Sequence, residues 1–463
     1  MAHPYMPNST ESAKATMLRA VGVSEVDELF EQIPLEHYAA EPISLATGVR
    51  SEADLRRHLV GLLNRNENCA DQLNFLGAGY WQHYVPAVCD EIASRSEFLT
   101  SVWGTPSSDH GRNQAWFEFA SQLGELVEMD FVGLPVYSWG AAAGFAARMA
   151  TRITGRGRIV VIGSMDPERL AVIRTYCGDR HPDERAELVV VPYDPDSGRA
   201  DRAALEAALD GDTAAVYLET PNYLGVVETE LAEIAAAARS CGAETIVGVH
   251  PLSLGLLASP AELGADIVVG STQPLGIHLN AGGGVGGFIA TRDDPRYARE
   301  YPTLQVSLCD TIAPGERAFG MTLFHQSSYG SREDGNDWTG NSVYLWTVVN
   351  SVYMALLGPT GFAEIGETIA RNSAYAAARI GALDGVEIRW PTGFFTEFVV
   401  DFSGTGSTVQ QINAALRERG IFGGKDLSGD FGELGQAALY CVTELHTAQD
   451  ISTLVNALSE VLV

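Results

Sequence analysis

Residues 264–292, GADIVVGSTQPLGIHLNAGGGVGGFIATR, run as a buried-strand pattern, a loop, a patch of glycines and a second strand. An amine set just after the first strand of such a frame would do Schiff-base chemistry. That place holds none: of 30 lysines and arginines, only Lys14 and Lys425 are lysine. Lys425, in GGKDL, lies far along the chain from this frame and reads as a surface ion-pair partner. The glycines of GGGVGG (282–287) fit neither the dinucleotide fingerprint nor a phosphate loop with its lysine, so they read as sites of close backbone packing.

Other side chains offer chemistry of different kinds. His250 and His278 have the intrinsic range of acid–base groups near neutrality, and equally suit hydrogen-bonded positions at strand ends. YWQHY (80–84) crowds three aromatic rings and His83 ahead of Pro86. It is either a wall shared with a ligand or partner, including His83 and Tyr84, or a core contact where a loop enters a helix. Arg95, beside Ser96 and Glu97, carries the planar fork that suits a carboxylate, or else caps a helix end. Asp109 and His110 near Arg112 invite an acid–base reading that exposed loop polarity explains as well. No motif places a serine or cysteine nucleophile. The six cysteines form no CxxC pair and no metal-ligand spacing, as expected of free thiols in a reducing cytoplasm.

The elements that must position these residues follow a simple pattern. Residues 10–65 read as helices, among them SEADLRRHLVGLLNR with Leu55, Leu59, Leu62 and Leu63 on one face. GRNQAWFEFASQLGELVEM spaces Trp116, Phe119, Leu123 and Leu126 as a helix buried on one side. Six short β-branched runs follow, at 158–163, 187–193, 214–219, 245–249, 266–270 and 286–291, mostly separated by helical segments. Continuous apolar runs of this kind indicate a parallel sheet covered on both faces. Ligands of such sheets sit at the carboxyl ends of the strands, which singles out Glu219–Tyr223, His250–Ser253 and Gly270–Gly276. The expected organisation is a helical extension over 1–70, a large α/β domain over 71–340, and connecting helices with a small α+β domain over 341–463.

Composition narrows the function classes. With 46% hydrophobic and 19% charged residues the chain can bury a sizeable core. A net charge of −29 repels nucleic acid and anionic membranes. No apolar run reaches membrane-spanning length, and MAHPYMPNST lacks the features of a signal peptide, so a cytoplasmic protein is expected.

Several stretches, in order along nearly the whole chain, resemble one family. They include NFLGAGYWQHYVPAVCDEIASRSEF (74–98), PNYLGVVE (221–228), PLSLGLL…GADIVVGSTQPLGI (251–277), ALLGPTGFAEI (355–365) and FFTEFVV (394–400). They are similar to the α-type subunit of glycine decarboxylase, the P-protein of the glycine cleavage system. The resemblance implies a type I pyridoxal-phosphate-dependent transferase-like fold. It also accounts for the missing amine, because in split P-proteins the cofactor lysine belongs to the β-type subunit. By analogy with the catalytic half, the lysine register falls at Gln273 or Pro274, and the acidic partner of the cofactor ring falls at His250.

The implied assembly is an oligomer, most simply α2β2, with a lysine-bearing β-type partner that carries pyridoxal phosphate. A lipoyl carrier protein would be a further partner. This chain would shape the partner's site through Tyr84, Trp103, Tyr137 and Arg332, with His83, Arg95, Ser96 and Trp139 beside them. It departs from the family where that channel should lie. LTSVWGTPSSDHG (99–111) replaces a tyrosine-rich stretch, YSWGAAA (137–143) loses an aspartate around Trp139, and Arg332 alone keeps the character of a basic run. Two alternatives remain open: a homologue recruited, with a partner, to a different amino acid in specialised metabolism, and a non-catalytic homodimer that binds a ligand or partner.

Overall fold

The computed structural model describes residues 3, 5–38, 44–45, 47–98, 110–178, 186–280, 286–322, 332, 335, 337–339 and 343–462; of 7, 110, 111, 321 and 322 only the backbone is described. Trp103, Asp109, the side chain of His110 and the glycines at 282–284, with Val285, fall outside this description. The chain divides into two compact units, Met1–Glu67 and Asn68–Val463. The segments expected as 71–340 and 341–463 thus lie together in the second unit.

The first unit holds helices α1 (Glu11–Val21) and α2 (Glu52–Leu63). Thr10 and Ser51 cap them by accepting from the backbone N–H of Ala13 and Asp54, and α1 ends where Gly22 turns left-handed at φ 89. The leucines expected on one face of α2 are exposed.

In the second unit the strands are β1 (Leu73–Asn74), β2 (Phe131–Val132), β3 (Arg158–Ile162), β4 (Glu187–Val191), β5 (Thr213–Glu219), β6 (Glu244–Val249), β7 (Ile267–Ser271) and β8 (Gly287–Thr291). The main sheet has seven strands in the order β2-β8-β7-β6-β5-β3-β4. The strands β3 to β7 are mutually parallel, as their apolar runs predict. β8 departs from that expectation and runs antiparallel to β7. A parallel return needs a crossover, usually a helix, whereas the described part of the connection, 272–280, is turn and coil.

Both faces of this sheet are buried. Val160, Val216, Val247 and Val268 point to one side, toward Phe119 and Leu123 of α4 (His110–Val127). Ile159, Val161, Ile246 and Ile267 point to the other, against α5 (Trp139–Thr154), which is buried from Trp139 to Ala150. Each such branched side chain contributes about 1.5–3 kcal/mol by burial.

β9 (Gln305–Asp310) and β10 (Arg317–Thr322) form a separate hairpin. A kinked helical segment, Trp346–Ile380, then runs on to a second sheet; the kink lies at Gly358 (φ 55), just before Pro359. That sheet orders β11 (Glu387–Ile388), β12 (Glu397–Asp401), β15 (Ala437–Cys441) and β14 (Lys425–Asp426) side by side, all antiparallel. β13 (Ile421–Phe422) pairs instead with β1. Helices Val409–Arg417 and Ala448–Val461, each opened by a capping box, close one face through Ile412, Leu416, Leu454 and Leu458. Among the described residues no helix is long and apolar enough to cross a membrane.

Candidate functional site

The parallel strands β5, β6 and β7 end side by side at Glu219, Val249 and Ser271. Residues 77–84, GAGYWQHY, join these strand ends to the second sheet. The segment has no regular structure, so its shape comes from the side chains that hold it. Glu397 of β12 accepts from the Ala78 N–H at 2.5 Å and from the Trp81 indole N–H at 2.9 Å. The turn is tight: Ala78 has φ 61 and Gly79 φ 99, and a Cβ on Gly77 would lie 2.2 Å from the Glu397 Oε1. Thr443 donates to the Gln82 carbonyl at 2.9 Å, and Glu444 accepts from the Tyr84 N–H at 2.7 Å.

Gln273 completes the frame two residues past β7. Its Oε1 accepts from the Trp81 N–H at 3.3 Å, and its Nε2 donates to the carbonyls of Trp81 (2.9 Å) and Ile277 (3.1 Å). The position read as the lysine register therefore carries a fully buried amide bonded to backbone. Pro274 beside it lies in the following turn.

Inside the frame the space is filled. The Trp81 ring meets His250 edge-on at 4.3 Å and lies 6.0 Å from Trp139. The Arg169 guanidinium, on α6 (Pro167–Cys177), stacks 3.9 Å from the centre of the Trp139 ring and holds both Glu219 oxygens at 2.8 Å. Tyr217 donates to the same carboxylate at 2.8 Å. Burial works against the charge on Arg169, but Glu219 and Asp166 hold its proton above the ordinary arginine range. Burial pushes the Glu219 carboxyl up, against the pull of Arg169. The void left between these groups is about 20 Å³, room for one water. A second pocket, of about 90 Å³, lies at the start of α5 between Ser138, Ser271 and Asp166.

His250 accepts the Leu252 N–H on Nδ1 at 3.2 Å, which places its proton on Nε2, 3.4 Å from the Nε2 of His83. Burial, with His83 adding to it, holds His250 well below the ordinary histidine range, so it is neutral. His83 turns its Nδ1 to Glu444 at 2.8 Å. Burial drives the Glu397 carboxyl up to about 7, although its two hydrogen bonds favour the charge.

The residues singled out from sequence separate into two groups. His83 and Trp139 lie inside; Trp139, expected at the channel, is a filling residue at the first turn of α5. Tyr84 (61% exposed) and Tyr137 (53%) face outward, as does Arg332. Arg95 pairs with Glu97 at 2.8 Å on the surface, and Ser96 opens an exposed turn of 3-10 helix. His278 meets Asp90 at 3.0 Å at the surface, and Lys425 sits 3.8 Å from Asp430. Arg112 is buried over Trp116. Sequence reasoning missed Glu397, Glu444, Arg169 and the role of Gln273. The signal for Glu397 was present, since a carboxylate inside the apolar run FFTEFVV is one that must be paired. Among the described residues no group of three or more His, Cys, Asp or Glu could hold a metal ion.

The sequence profile of the glycine cleavage system P-protein matches residues 3–458. The chain belongs to that family. It is 35% identical over 468 aligned residues to the probable glycine dehydrogenase (decarboxylating) subunit 1 of Staphylothermus marinus, covering 100% of this chain and 98% of that one. With the protein of the same name from Aeropyrum pernix it shares 37%, covering 100% of both. Among solved structures it is similar to glycine decarboxylase (P-protein) of the glycine cleavage system in inhibitor-bound form: TM-score 0.87, 31% identity, 99% of this chain and 100% of that one. A sphingosine-1-phosphate lyase of Burkholderia pseudomallei, at TM-score 0.64 and 17% identity over 92% and 94% of the chains, shares the fold alone. The fold is that of type I pyridoxal-phosphate-dependent enzymes, as the resemblance implied.

The residues of this chain do not fit that cofactor. At the place read as the lysine register stands Gln273, whose hydrogen bonds are committed to backbone. At the place read as that of the ring's acidic partner stands His250, held well below the ordinary histidine range by burial. Trp81, Trp139 and the Arg169–Glu219 pair occupy the room a ring would need, since small-molecule sites span about 300 Å³ or more. The geometry therefore supports a framework for holding residues 77–84.

Proposed function

We propose that this chain is the lysine-less α-type subunit of a glycine-decarboxylase-like enzyme. It pairs with a homologous, lysine-bearing β-type subunit that carries pyridoxal phosphate, in a cytoplasmic α2β2 assembly. The observation that carries this reading is the filled cradle under an outward-facing aromatic rim: Trp81 and His83 point in, while Tyr80 and Tyr84 point out, with Tyr137 also exposed. A chain that has closed its own cleft contributes to chemistry by lining another. Tyr84, Tyr137, Arg332 and, from the sequence ahead of α4, Trp103 would cover the mouth of the partner's site and exclude water from the reacting carbon. Arg95 and Ser96 sit further along the same stretch and would contact the partner.

Support for the partner comes from the relatives, which are named subunit 1. The rewritten residues 99–111 favour, as a second reading, a complex recruited to a different amino acid. Co-expression with a lysine-bearing homologue, followed by glycine–bicarbonate carbon exchange, tests both. Exchange by the pair and by neither chain alone supports the first reading. A pair that binds pyridoxal phosphate but exchanges only another amino acid supports the second. A lone chain that stays a homodimer and never pairs overturns both.

A further inference from the structure

Residues 80–84 behave as a short extended segment with two faces. Trp81 and His83 are buried, Tyr80 and Tyr84 on either side of them are exposed, and Gln82 between them is half-buried. In such a segment the direction of the outward side chains is set by the inward ones, because alternate residues point to opposite faces. Whatever fixes the backbone at Trp81 therefore aims Tyr80 and Tyr84.

Gln273 is built for that task. It follows β7, whose five residues are buried and which is hydrogen-bonded to β6 on one side and β8 on the other, so it stands on a rigid post. Its amide pairs with both the N–H and the carbonyl of Trp81, as a neighbouring strand would, and its second N–H holds Ile277. Every strong donor and acceptor of the side chain is used, and the groups facing it are backbone atoms. An ammonium group has no acceptor and cannot make this pair; a thioether has no donor and accepts only weakly.

We infer that Gln273, at the strand-end place of the missing amine, is a positioning residue that aims Tyr80 and Tyr84 at the partner's site. The inference rests on the proposed pairing for its catalytic consequence, but its structural half stands without it. Gln273→Met leaves a buried N–H and a buried carbonyl of Trp81 unpaired, and Gln273→Glu reproduces the pair only while the introduced carboxyl is protonated.

The test is hydrogen exchange across residues 75–85, together with glycine exchange kinetics, in the complex with the lysine-bearing partner. If no complex forms, the exchange measurement is made on the full chain alone. In Gln273→Met, amides 80–84 should exchange about tenfold faster than in the parent, with β5–β7 unchanged. The kcat/KM for glycine should drop by about the same factor while the partner's cofactor absorbance stays constant. In Gln273→Glu, the ratio of activity to that of the parent should climb as the pH falls, whereas the ratio for Gln273→Met should stay flat. Unchanged exchange at 80–84 in Gln273→Met, or equal pH behaviour of the two variants, overturns the inference. Faster exchange at 80–84 in Gln273→Met, together with a parent complex that shows no glycine chemistry, overturns the proposed function and leaves Gln273 as the residue that holds this segment.

Discussion

The cradle at the strand ends and the rim above it differ in one respect that explains the rest. Inside, the charged and amide side chains are paired: Arg169 with Glu219, Gln273 with the Trp81 backbone, His83 with Glu444, Glu397 with Ala78 and the Trp81 indole. On the rim, Tyr84, Tyr137 and Arg332 are exposed. A buried polar group without a partner is costly, so a cleft of this kind must either hold a ligand or be filled by side chains that pair with one another. In this chain it is filled. What remains available for recognition is the outward face of the segment that did the filling.

That contrast can be broken from the inside with the largest effect. Arg169→Ala leaves Glu219 buried without its counter-charge and strips the stack from Trp139. It should destabilise the chain by about 3–5 kcal/mol, read as a fall in the urea midpoint. A loss below about 1 kcal/mol would mean that water already reaches the pair.

A second effect is pH-dependent. The Glu397 carboxyl is pushed from the ordinary 4.5 up to about 7, so the folded state holds its proton more tightly than the unfolded chain. Stability should therefore fall as the pH rises from about 4.5 through about 7, by about 3 kcal/mol over the whole window. His250 acts with the opposite sign. Its folded value lies well below 6.5, so the unfolded chain takes up the proton first and stability falls as the pH drops below that value. Glu397→Gln should flatten the alkaline side and move the stability maximum to higher pH; an unshifted maximum in urea melts across pH 5 to about 8 would contradict this assignment.

The rim should respond in activity and hardly at all in stability. Tyr84→Ala, at a residue 61% exposed, should change stability by no more than about 0.5 kcal/mol, yet lower kcat/KM of the complex about tenfold. Thermal melts and carbon exchange on one preparation check both halves. Smallest of all, Lys425→Ala and Arg95→Ala break exposed pairs at 3.8 and 2.8 Å and should cost under about 0.5 kcal/mol, within the error of a melt.

Much of the frame was legible in the sequence because it rests on local pattern. The β-branched runs became β3 to β7, since a strand buried on both faces needs nothing more than continuous apolar side chains. The direction of β8 was not legible, because an apolar run looks the same in either orientation and only the connection at 272–286 decides it. The absence of an amine near Gln273 was plain, but what replaced it was not. Gln273 meets Trp81 across 192 positions, and Glu397 meets Ala78 across 319. Contacts at such separations leave no periodic trace. Trp139 was misplaced for a related reason: a tryptophan near a presumed channel reads as wall, and only the stacking of Arg169 and the neighbouring Gly248 show it to be interior.

The central claim is that the cofactor chemistry lies outside this chain's own cradle. Treating the full chain with pyridoxal phosphate, reducing with borohydride and mapping the peptides tests it most directly, alone and in complex with the lysine-bearing partner. Stoichiometric labelling of the partner is expected and none of Lys14 or Lys425, with no Schiff-base absorbance from this chain alone. Stoichiometric label on either of those lysines, accompanied by that absorbance, would contradict it.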